Sequence, residues 1–376
     1  MPEQKKAVVP RLRFPEFRDA GPWEVKRLGE ICAIKNGSSN AQDHTENGIY
    51  PLFDRSEVIK KSNRYLYDCE AVIIPGEGAT FTPRYYRGKF DLHQRAYALM
   101  GFRANARFVG YQIEAFKNLL VSQAVSSTVL SLRMPILERF TVLLPTGAEQ
   151  QKIADCLSLL DELIELEAKQ LEALQAHKKG LMQQLFPREG ETTPRLRFPE
   201  FRDAGPWEVK RLETIVELAY GAALPESHRN KGDVPVVGSN GIVGYHDKPL
   251  TKGPTIVIGR KGSAGEVTWV EEACFPIDTT FFVQFRRSLD SPRFLYFLLL
   301  TLNLPELARA EGVPGLNRND VYSRRVGVPS ATEQQKIADC LSSLDELIEL
   351  QAKQLEALKA HKKGLMQQLF PQEIDL

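Results

Sequence analysis

The chain has 376 residues, of which 43% are hydrophobic and 26% are charged, and its formal net charge at pH 7 is only +1. This composition is typical of a water-soluble protein of two or three domains, and so small a charge does not by itself indicate a nucleic-acid or membrane partner. The longest apolar run, which starts at Phe294, is about half a membrane span, so no transmembrane helix is expected. The N-terminus lacks the apolar core of a signal peptide, which predicts a cytoplasmic location.

The chain begins with a motif that it later repeats. The stretch PRLRFPEFRDAGPWEVKRL begins at Pro10 and recurs, letter for letter, at Pro194, 184 positions later. We call these two stretches the N-terminal motifs. Each contains one tryptophan, Trp23 or Trp207, and we predict that this side chain anchors the segment that follows.

The segments after the motifs, residues 29–148 and 213–332, are equal in length but share little identity. We call them the first and second variable segments. In both, β-branched and aromatic runs broken by Gly and Pro predict a mostly β domain with a few helices. AVIIPGEG from Ala71 aligns with TIVIGRKG from Thr255, so we expect one shared scaffold. Helices are predicted from Arg107 and from Arg293.

A second repeated block follows each variable segment. It begins EQQKIADCL at Glu149 and at Glu333, and the two copies differ at only three positions before Pro187 and Pro371. Helix-forming residues dominate the block, which predicts one long helix in each copy. Apolar residues three and four apart predict a coiled-coil seam, formed in the first copy by Leu157, Leu160, Ile164, Leu171, Leu174, Leu181 and Leu185.

Charge predicts the direction in which these helices pair. Glu149–Glu167 carries six acids and one Lys, whereas Ala168–Phe186 carries three Lys and one Glu. Only antiparallel pairing sets the acidic half of one helix against the basic half of the other. We predict a register in which Glu167 meets Lys362 and Lys178 meets Gln351.

The predicted fold class is α+β, with two mixed, mostly β domains separated by two long helices that form an antiparallel coiled coil with pseudo-twofold symmetry. The predicted boundaries are 1–148 for the first domain, 149–187 for the first helix, 188–332 for the second domain, 333–371 for the second helix and 372–376 for a tail. The N-terminal motifs and the long-helix blocks are repeated, whereas the variable segments between them differ. This arrangement indicates one shared structural role and two different recognition roles.

Several of these stretches are similar to one known family. RFPEFRDAGPWEVKRLGEI, the EQQKIA start of the helix and GRKGSAGE with FPIDTTFF closely resemble the DNA-specificity subunit of type I restriction–modification systems. The resemblance covers nearly the whole chain. LIELEAKQLEAL is also similar to the helices of the type IC branch, although no perfect tandem repeat is present.

The resemblance implies that each variable segment is a target-recognition domain, which reads one half of a split, asymmetric site in double-stranded DNA. It implies that the helices act as a spacer and help dock two methyltransferase subunits, and that restriction subunits can join. S-adenosylmethionine, ATP and Mg²⁺ would then bind those partners, with no cofactor in this chain and no membrane contact.

Candidate DNA contacts follow from chemistry, because bases are read by fixed donors and acceptors and phosphates by Lys, Arg and small hydroxyl residues. In the first variable segment, Pro83 and Gly88 predict a basic loop. The candidates there are Asn36, Ser38, Ser39, Asn40, Thr82, Arg84, Tyr85, Tyr86, Arg87, Lys89, His93, Gln94 and Arg95. In the second, a Gly-rich turn with two cations is suited to a phosphate. The candidates there are Ser239, Asn240, Tyr245, Arg260, Lys261, Ser263, Asn317 and Arg318.

The sequence contains no Asn-Pro-Pro-Tyr/Phe, GxGxxG, Walker A or paired Asp/Glu-x-Lys motif. We therefore predict that this chain alone catalyses nothing, and we predict no metal site because His93 and His246 lack partner ligands at metal spacing. Two alternatives remain at this point. One is a coiled-coil scaffold that binds two unlike proteins, and the other is a nuclease that uses Asp91 with His93 or Glu266 with Asp278.

Overall fold

The computed structural model describes residues 8–125, 129–285, 291–309 and 315–371. Packing divides the chain into two compact units, Met1–Ala168 with Gln354–Leu376 and Lys169–Lys353. Each unit therefore combines one variable segment with the N-terminal part of one long helix and the C-terminal part of the other. The predicted tail, 372–376, lies outside the described residues.

The described residues of the first variable segment and its flanks hold eight strands and four short α-helices, followed by a long helix. The strands are β1 (Glu24–Arg27), β2 (Ala33–Asn36), β3 (Tyr50–Phe53), β4 (Lys60–Ser62), β5 (Tyr67–Pro75), β6 (Arg84–Leu92), β7 (Ala96–Met100) and β8 (Thr141–Leu144). The helices are α1 (Leu28–Ile31), α2 (Ala106–Ala115), α3 (Lys117–Gln123), α4 (Met134–Arg139) and the long α5 (Gly147–Leu185).

Most of these strands form a six-stranded sheet in the order β2-β7-β5-β6-β3-β4, and β1 pairs with β8. Successive side chains of a strand point to opposite faces. In β5, Val72 and Ile74 accordingly lie in the core that includes α2, whereas Ala71 and Ile73 lie in a second cluster on the other face. Burial on both faces explains why β5 contains an unbroken apolar run.

The second variable segment repeats the plan with more strands and smaller sheets. The strands are β9 (Glu208–Arg211), β10 (Val216–Tyr220), β11 (Val234–Gly238), β12 (Gly241–His246), β13 (Thr255–Gly259), β14 (Val267–Val270), β15 (Phe275–Pro276), β16 (Thr280–Phe285) and β17 (Arg325–Val328). The helices are α6 (Leu212–Ile215), α7 (Pro292–Thr301), α8 (Leu304–Arg309), α9 (Arg318–Ser323) and the long α10 (Ala331–Leu369). The sheets are β10-β16-β13-β14, β12-β11-β15 and β17-β9.

Within each unit, the parts of α5 and α10 run antiparallel, as the charge pattern predicts. In the first unit, Lys362 Nζ lies 2.7 Å from Asp161 Oδ1, and Gln354 Nε2 donates to Glu167 Oε1 at 3.2 Å. A residue later in α5 thus meets one earlier in α10. In the second unit, Lys178 pairs with Asp345, which occupies the position of Asp161 in the repeat.

The predicted register is wrong by about one heptad. Lys362 meets Asp161 rather than Glu167, and Lys178 meets Asp345 rather than Gln351. The reason is that each seam lysine has a packing partner outside the long helices. Lys362 Nζ lies 3.5 Å from Glu114 Oε2 and 5.0 Å from the ring centroid of Tyr111, both on α2, and Lys178 Nζ lies 5.3 Å from the ring centroid of Phe297 on α7. A seam pattern read from the helices alone contains no information about α2.

A buried ion pair fastens each N-terminal motif to the start of a long helix. Arg13 Nε and Nη2 each donate to the Glu149 carboxylate at 2.7 Å, and the two side chains are 7% and 1% exposed. Arg197 and Glu333 repeat this pair in the second unit at 2.8 and 2.7 Å. We call these two pairs the clasps.

The repeated tryptophans are anchors, as predicted, and each is 3% exposed. The Trp23 ring packs edge-on against Phe108 of α2 and against Phe370, which follows α10, with centroid distances of 5.7 and 6.4 Å. Trp207 contacts Phe186 and Phe294 in the same way. The predicted fold class, with two mixed domains and long antiparallel helices, is confirmed.

Candidate nucleic-acid interface

Three loops of the second variable segment are joined by backbone hydrogen bonds at one end of β13 and β16. Arg260 N and Lys261 N donate to Thr279 O at 2.8 and 3.1 Å, and Leu316 N donates to Arg260 O at 2.8 Å. The turn between β11 and β12 joins them, because Ser239 Oγ donates to Thr279 O at 2.7 Å. Candidates that are far apart in sequence therefore lie together.

Local geometry explains the glycines around Arg260 and Lys261. A Cβ at Gly259 would lie 2.2 Å from Ser263 O, and one at Gly265 would lie 2.3 Å from Pro305 N. Gly265 also has a φ of +90°, which residues other than glycine rarely adopt. The turn thus requires glycine for its own folding, whether or not a phosphate binds there.

Two arginines of this region share one exposed tyrosine. The Cζ atoms of Arg260 and Arg318 lie 5.3 and 5.1 Å from the ring centroid of Tyr220, whose side chain is 52% exposed. Distances below about 6 Å are typical of cation–π contacts. Sequence reasoning missed Tyr220, although it occupies the position of the candidate Asn36, 184 residues earlier.

The other candidates of this segment have mixed surroundings. Asn317 caps α9, because its Oδ1 accepts from Asn319 N at 2.9 Å. Asn240 lies in the β11–β12 turn beside Ser239, and Lys261 and Ser263 lie in the turn after β13. Tyr245 is 56% exposed but lies farther along β12, opposite Pro235.

The first variable segment builds the same loop scaffold 184 positions earlier. Gly76 N donates to Arg95 O and Leu132 N donates to Gly76 O, both at 2.8 Å. The side chains differ, however, because Glu77 accepts from Arg95 Nη1 at 2.5 Å and lies 3.8 Å from Arg55 Nη1. One carboxylate therefore offsets two cations.

Amide side chains lie beside this ion pair. Gln94 Nε2 donates to Asn40 Oδ1 at 2.8 Å, and Asn36 Nδ2 donates to Gln94 O at 3.3 Å. His93 Nδ1 accepts from Arg95 N at 3.1 Å, and burial lowers the pKa of His93. These candidates form a polar surface with both donors and acceptors, and Ser38 is exposed in the same loop.

Ser39 is a different case, because it is fully buried. Its Oγ donates to Asp91 Oδ1 at 2.7 Å, while Ser62 Oγ and Arg64 Nε donate to Asp91 Oδ2 at 2.9 and 3.2 Å. Ser39 is therefore part of an internal network, which argues against direct DNA contact. The same network occupies the Asp91 carboxylate that a nuclease would need.

The loop predicted around Pro83 and Gly88 is wrong, since Arg84–Leu92 form strand β6. Gly88 does adopt a positive φ of +133°, but it does so within the strand, opposite Cys69 of β5. A glycine that adjusts a strand cannot be distinguished by sequence from a glycine that ends one.

The strand position divides the candidates of β6 by role. Tyr85 OH donates to Glu70 Oε1 at 2.6 Å, and Tyr86 packs against Phe53 with a centroid distance of 5.3 Å, so both rings have structural contacts.

Arg84 Nη2 donates to Glu57 O at 2.9 Å. Arg87 and Lys89 remain exposed, with Lys89 Nζ 4.7 Å from the Tyr65 ring centroid. Thr82, just before the strand, accepts from Lys117 Nζ at 3.4 Å.

Among the described residues, no group of three or more His, Cys, Asp or Glu side chains is placed to hold a metal ion. In the same residues, no helix is both long and apolar enough to span a membrane.

Comparison with known proteins identifies the family. The sequence profile of the type I restriction modification DNA specificity domain matches twice, over residues 21–176 and 205–360. These two matches cover most of the chain and are offset by the length of the internal repeat. The protein therefore belongs to the family of type I restriction–modification specificity subunits.

Named relatives are similar over nearly the whole chain or over about half of it. The type I restriction enzyme MjaVIII specificity subunit of Methanocaldococcus jannaschii is 23% identical, over 96% of this chain and 94% of that protein. The EcoDI specificity subunit of Escherichia coli is 27% identical over 46% of this chain and 39% of that protein. The crystal structure of the type I restriction–modification S subunit from M. genitalium matches the fold with a TM-score of 0.74 at 19% identity, covering 98% of this chain and all of that one.

Proposed function

We propose that this chain reads an asymmetric, two-part DNA target and directs the methyltransferase and restriction subunits of a type I system to it. The observation that carries this proposal is the shared loop scaffold of the two variable segments. Equivalent backbone hydrogen bonds at Gly76 and Arg260 hold loops whose side chains are unlike. Recognition of two different half-sites requires two different sets of side chains, and one shared backbone scaffold can carry both.

The residues proposed to face DNA are taken from those that are at least partly exposed and lie together at these loops. In the first variable segment, amides dominate and supply the paired donors and acceptors that suit base edges. In the second, cations dominate and suit phosphates or guanine. The proposed set is Asn36, Asn40, Gln94 and Arg95 in the first segment and Ser239, Arg260, Lys261 and Arg318 in the second.

Catalysis is assigned to partners. Two methyltransferase subunits would bind S-adenosylmethionine, and restriction subunits would bind ATP and Mg²⁺, while this chain would supply target recognition alone in the cytoplasm. Full-length similarity to named specificity subunits supports this division of labour.

An exchange of one variable segment tests the proposal. Residues 29–148 are replaced by the matching segment of a relative, the chain is expressed with its methyltransferase subunits, and methylated sites are mapped across a genome. One half of the target should change and the other should stay the same. A change in both halves, or in neither, contradicts the proposal, and methylation without any sequence preference would favour a protein scaffold.

The helices are proposed to set the gap between the half-sites. The boundary between the two units falls after Ala168 in α5 and after Lys353 in α10. These two positions lie opposite each other in the antiparallel pairing that includes the contact of Asp161 with Lys362, so they serve as matched insertion points. Inserting seven residues at both points keeps the heptad pattern and lengthens each helix by roughly 10 Å. The preferred gap should grow by about three base pairs. An insertion in one helix alone is the control, because it should disrupt the pairing, and an unchanged gap in the double insertion would contradict the spacer role.

A further inference from the structure

We propose that the second variable segment reads a guanine in its half-site through Arg260 and Arg318, which Tyr220 holds in position. We call these three side chains the arginine cluster. The inference rests on the proposed function and names the base that one part of the interface recognises.

The cluster is fixed before any DNA binds. Arg260 N donates to Thr279 O, Arg260 O accepts from Leu316 N, and Arg260 Nη2 donates to Asp278 O at 2.7 Å. Arg318 is the first residue of α9, and its Cζ lies near the rings of both Tyr220 and Tyr322, at 5.1 and 5.7 Å. Because both guanidinium groups are already ordered, a ligand loses little affinity to ordering them.

The charge of the cluster is not offset internally. Within the described parts of the chain, no carboxylate forms an ion pair with Arg260 or Arg318, and the buried Nε atom of each has no hydrogen-bond partner. At the equivalent site of the first segment, Glu77 pairs with Arg95. Two like charges beside one ring repel each other, so a ligand with several acceptor atoms would stabilise the cluster.

The chemistry of the cluster fits guanine best. A guanidinium held over an aromatic ring keeps its plane fixed, and its terminal Nη1 and Nη2 groups can donate together as a fork while Nε stays buried. Guanine presents two neighbouring acceptors, O6 and N7, in the major groove, and arginine is their commonest partner. A phosphate does not require a fork, because lysine can bind it as a point charge, and Lys261, the next residue after Arg260, is available for that role.

The test begins from the target of the wild-type methyltransferase complex, found by methylation mapping. Each guanine of the second half-site is then replaced by 7-deazaguanine, which keeps base pairing but lacks N7. At one or two positions, binding by the wild-type complex should weaken between about 5-fold and 150-fold. Arg260→Lys or Arg318→Lys, which keep the charge but lose the fork, should weaken binding to normal DNA by a similar factor.

The decisive observation is the combination. A lysine variant should lose nothing further on the DNA with 7-deazaguanine at its own position, because the contact has already been removed. The matched control is 7-deazaguanine at a guanine of the first half-site: there the lysine variant should lose the same factor in affinity as the wild type does. Tyr220→Phe, which keeps the ring, should bind like the wild type, whereas Tyr220→Ala should behave like the arginine variants.

The inference is overturned if the lysine substitution and the 7-deazaguanine replacement each weaken binding independently, so that their factors multiply when they are combined. It is equally overturned if the second half-site specifies no guanine. It is also overturned when Arg260→Lys and Arg318→Lys bind like the wild type while Arg260→Ala and Arg318→Ala weaken binding and lower its salt dependence equally on all DNA, which would show phosphate contacts. In these three cases, sequence-selective binding persists and the proposed function stands. A complex with no sequence preference would instead overturn the proposed function and this inference together.

Discussion

In the first variable segment, Glu77 pairs with Arg95 at the site where the second variable segment holds Arg260 beside Tyr220. The backbone around the two sites is the same, since Gly76 N donates to Arg95 O and Arg260 N donates to Thr279 O, both at 2.8 Å. Main-chain groups make these bonds with any side chain attached. The scaffold can therefore keep its geometry while its displayed residues change.

The repeated parts of the chain follow the opposite principle. The clasps and the tryptophan anchors depend on particular side chains, Arg13 with Glu149 and Trp23 with Phe370 in the first unit. A buried ion pair cannot lose one partner without leaving an uncompensated charge. The two halves are thus identical in sequence where particular side chains hold the fold together. They diverge at the loops, where main-chain hydrogen bonds hold the fold together.

The largest expected effect concerns the clasps. Glu149→Ala and Glu333→Ala each leave a buried arginine unpaired, so each should lower the free energy of unfolding by about 3–5 kcal/mol. The two losses should be equal, because the clasps have the same geometry. Urea unfolding of the full chain measures this, with the exposed Glu162→Ala as a control that should change stability by less than about 0.5 kcal/mol. Clearly unequal losses would show that the two units do not share this fastening.

The seam lysines should reveal a difference between the units. Lys362 lies near two carboxylates, Asp161 and Glu114, whereas Lys178 pairs with one carboxylate of the described residues, Asp345. Lys362→Met should therefore cost about 1–3 kcal/mol, because Glu114 loses its ion pair and Asp161 keeps only the hydrogen bond from Tyr111 OH. Lys178→Met should cost about 1 kcal/mol less, because only one carboxylate, Asp345, loses its ion pair. The exposed Lys179→Met is the control in the same unfolding experiment. Equal costs would mean that Glu114 does not contribute to the seam.

A substitution at Glu77 should make the first segment more like the second. Glu77→Gln removes the charge that offsets Arg95 and Arg55, so DNA binding by the methyltransferase complex should become more salt-dependent. The slope of log affinity against log salt should steepen by about one for each phosphate newly contacted. Glu162→Gln on α5 is the matched control and should leave the slope unchanged. An unaltered slope for Glu77→Gln would place Arg95 and Arg55 outside the interface.

The smallest effect is a pH dependence confined to the first segment. Burial lowers the pKa of His93 below its ordinary value of 6.5, and its Nδ1 accepts a hydrogen bond only when unprotonated. Stability should therefore be fully present above pH 6.5 and should fall as the pH drops towards the lower folded-state pKa. His93→Gln should reduce this fall, whereas the exposed His177→Gln should not. Identical pH profiles for the wild type and His93→Gln would exclude this residue as the cause.

The sequence by itself determined the repeat, the long helices and their antiparallel direction. Helix propensity, heptad spacing and the acidic and basic halves of Glu149–Phe186 are local properties of the chain. The burial of Trp23 and Trp207 was also predictable, because two identical motifs around unlike segments indicate a shared anchor. Alignment at an offset of 184 residues correctly paired the loops at Gly76 and Arg260.

Only the tertiary structure decided the features that depend on residues distant in sequence. The coiled-coil register is set partly by Tyr111 and Glu114 of α2, which the helix pattern cannot reveal. The burial of Ser39 depends on Asp91, and the strand position of Gly88 depends on its pairing with β5. The contact of Tyr220 with Arg260 and Arg318 joins residues that are 40 and 98 positions apart. Such contacts form only when loops are brought together by the sheet, because hydrophobicity and spacing specify each strand but not which side chains its ends will place side by side.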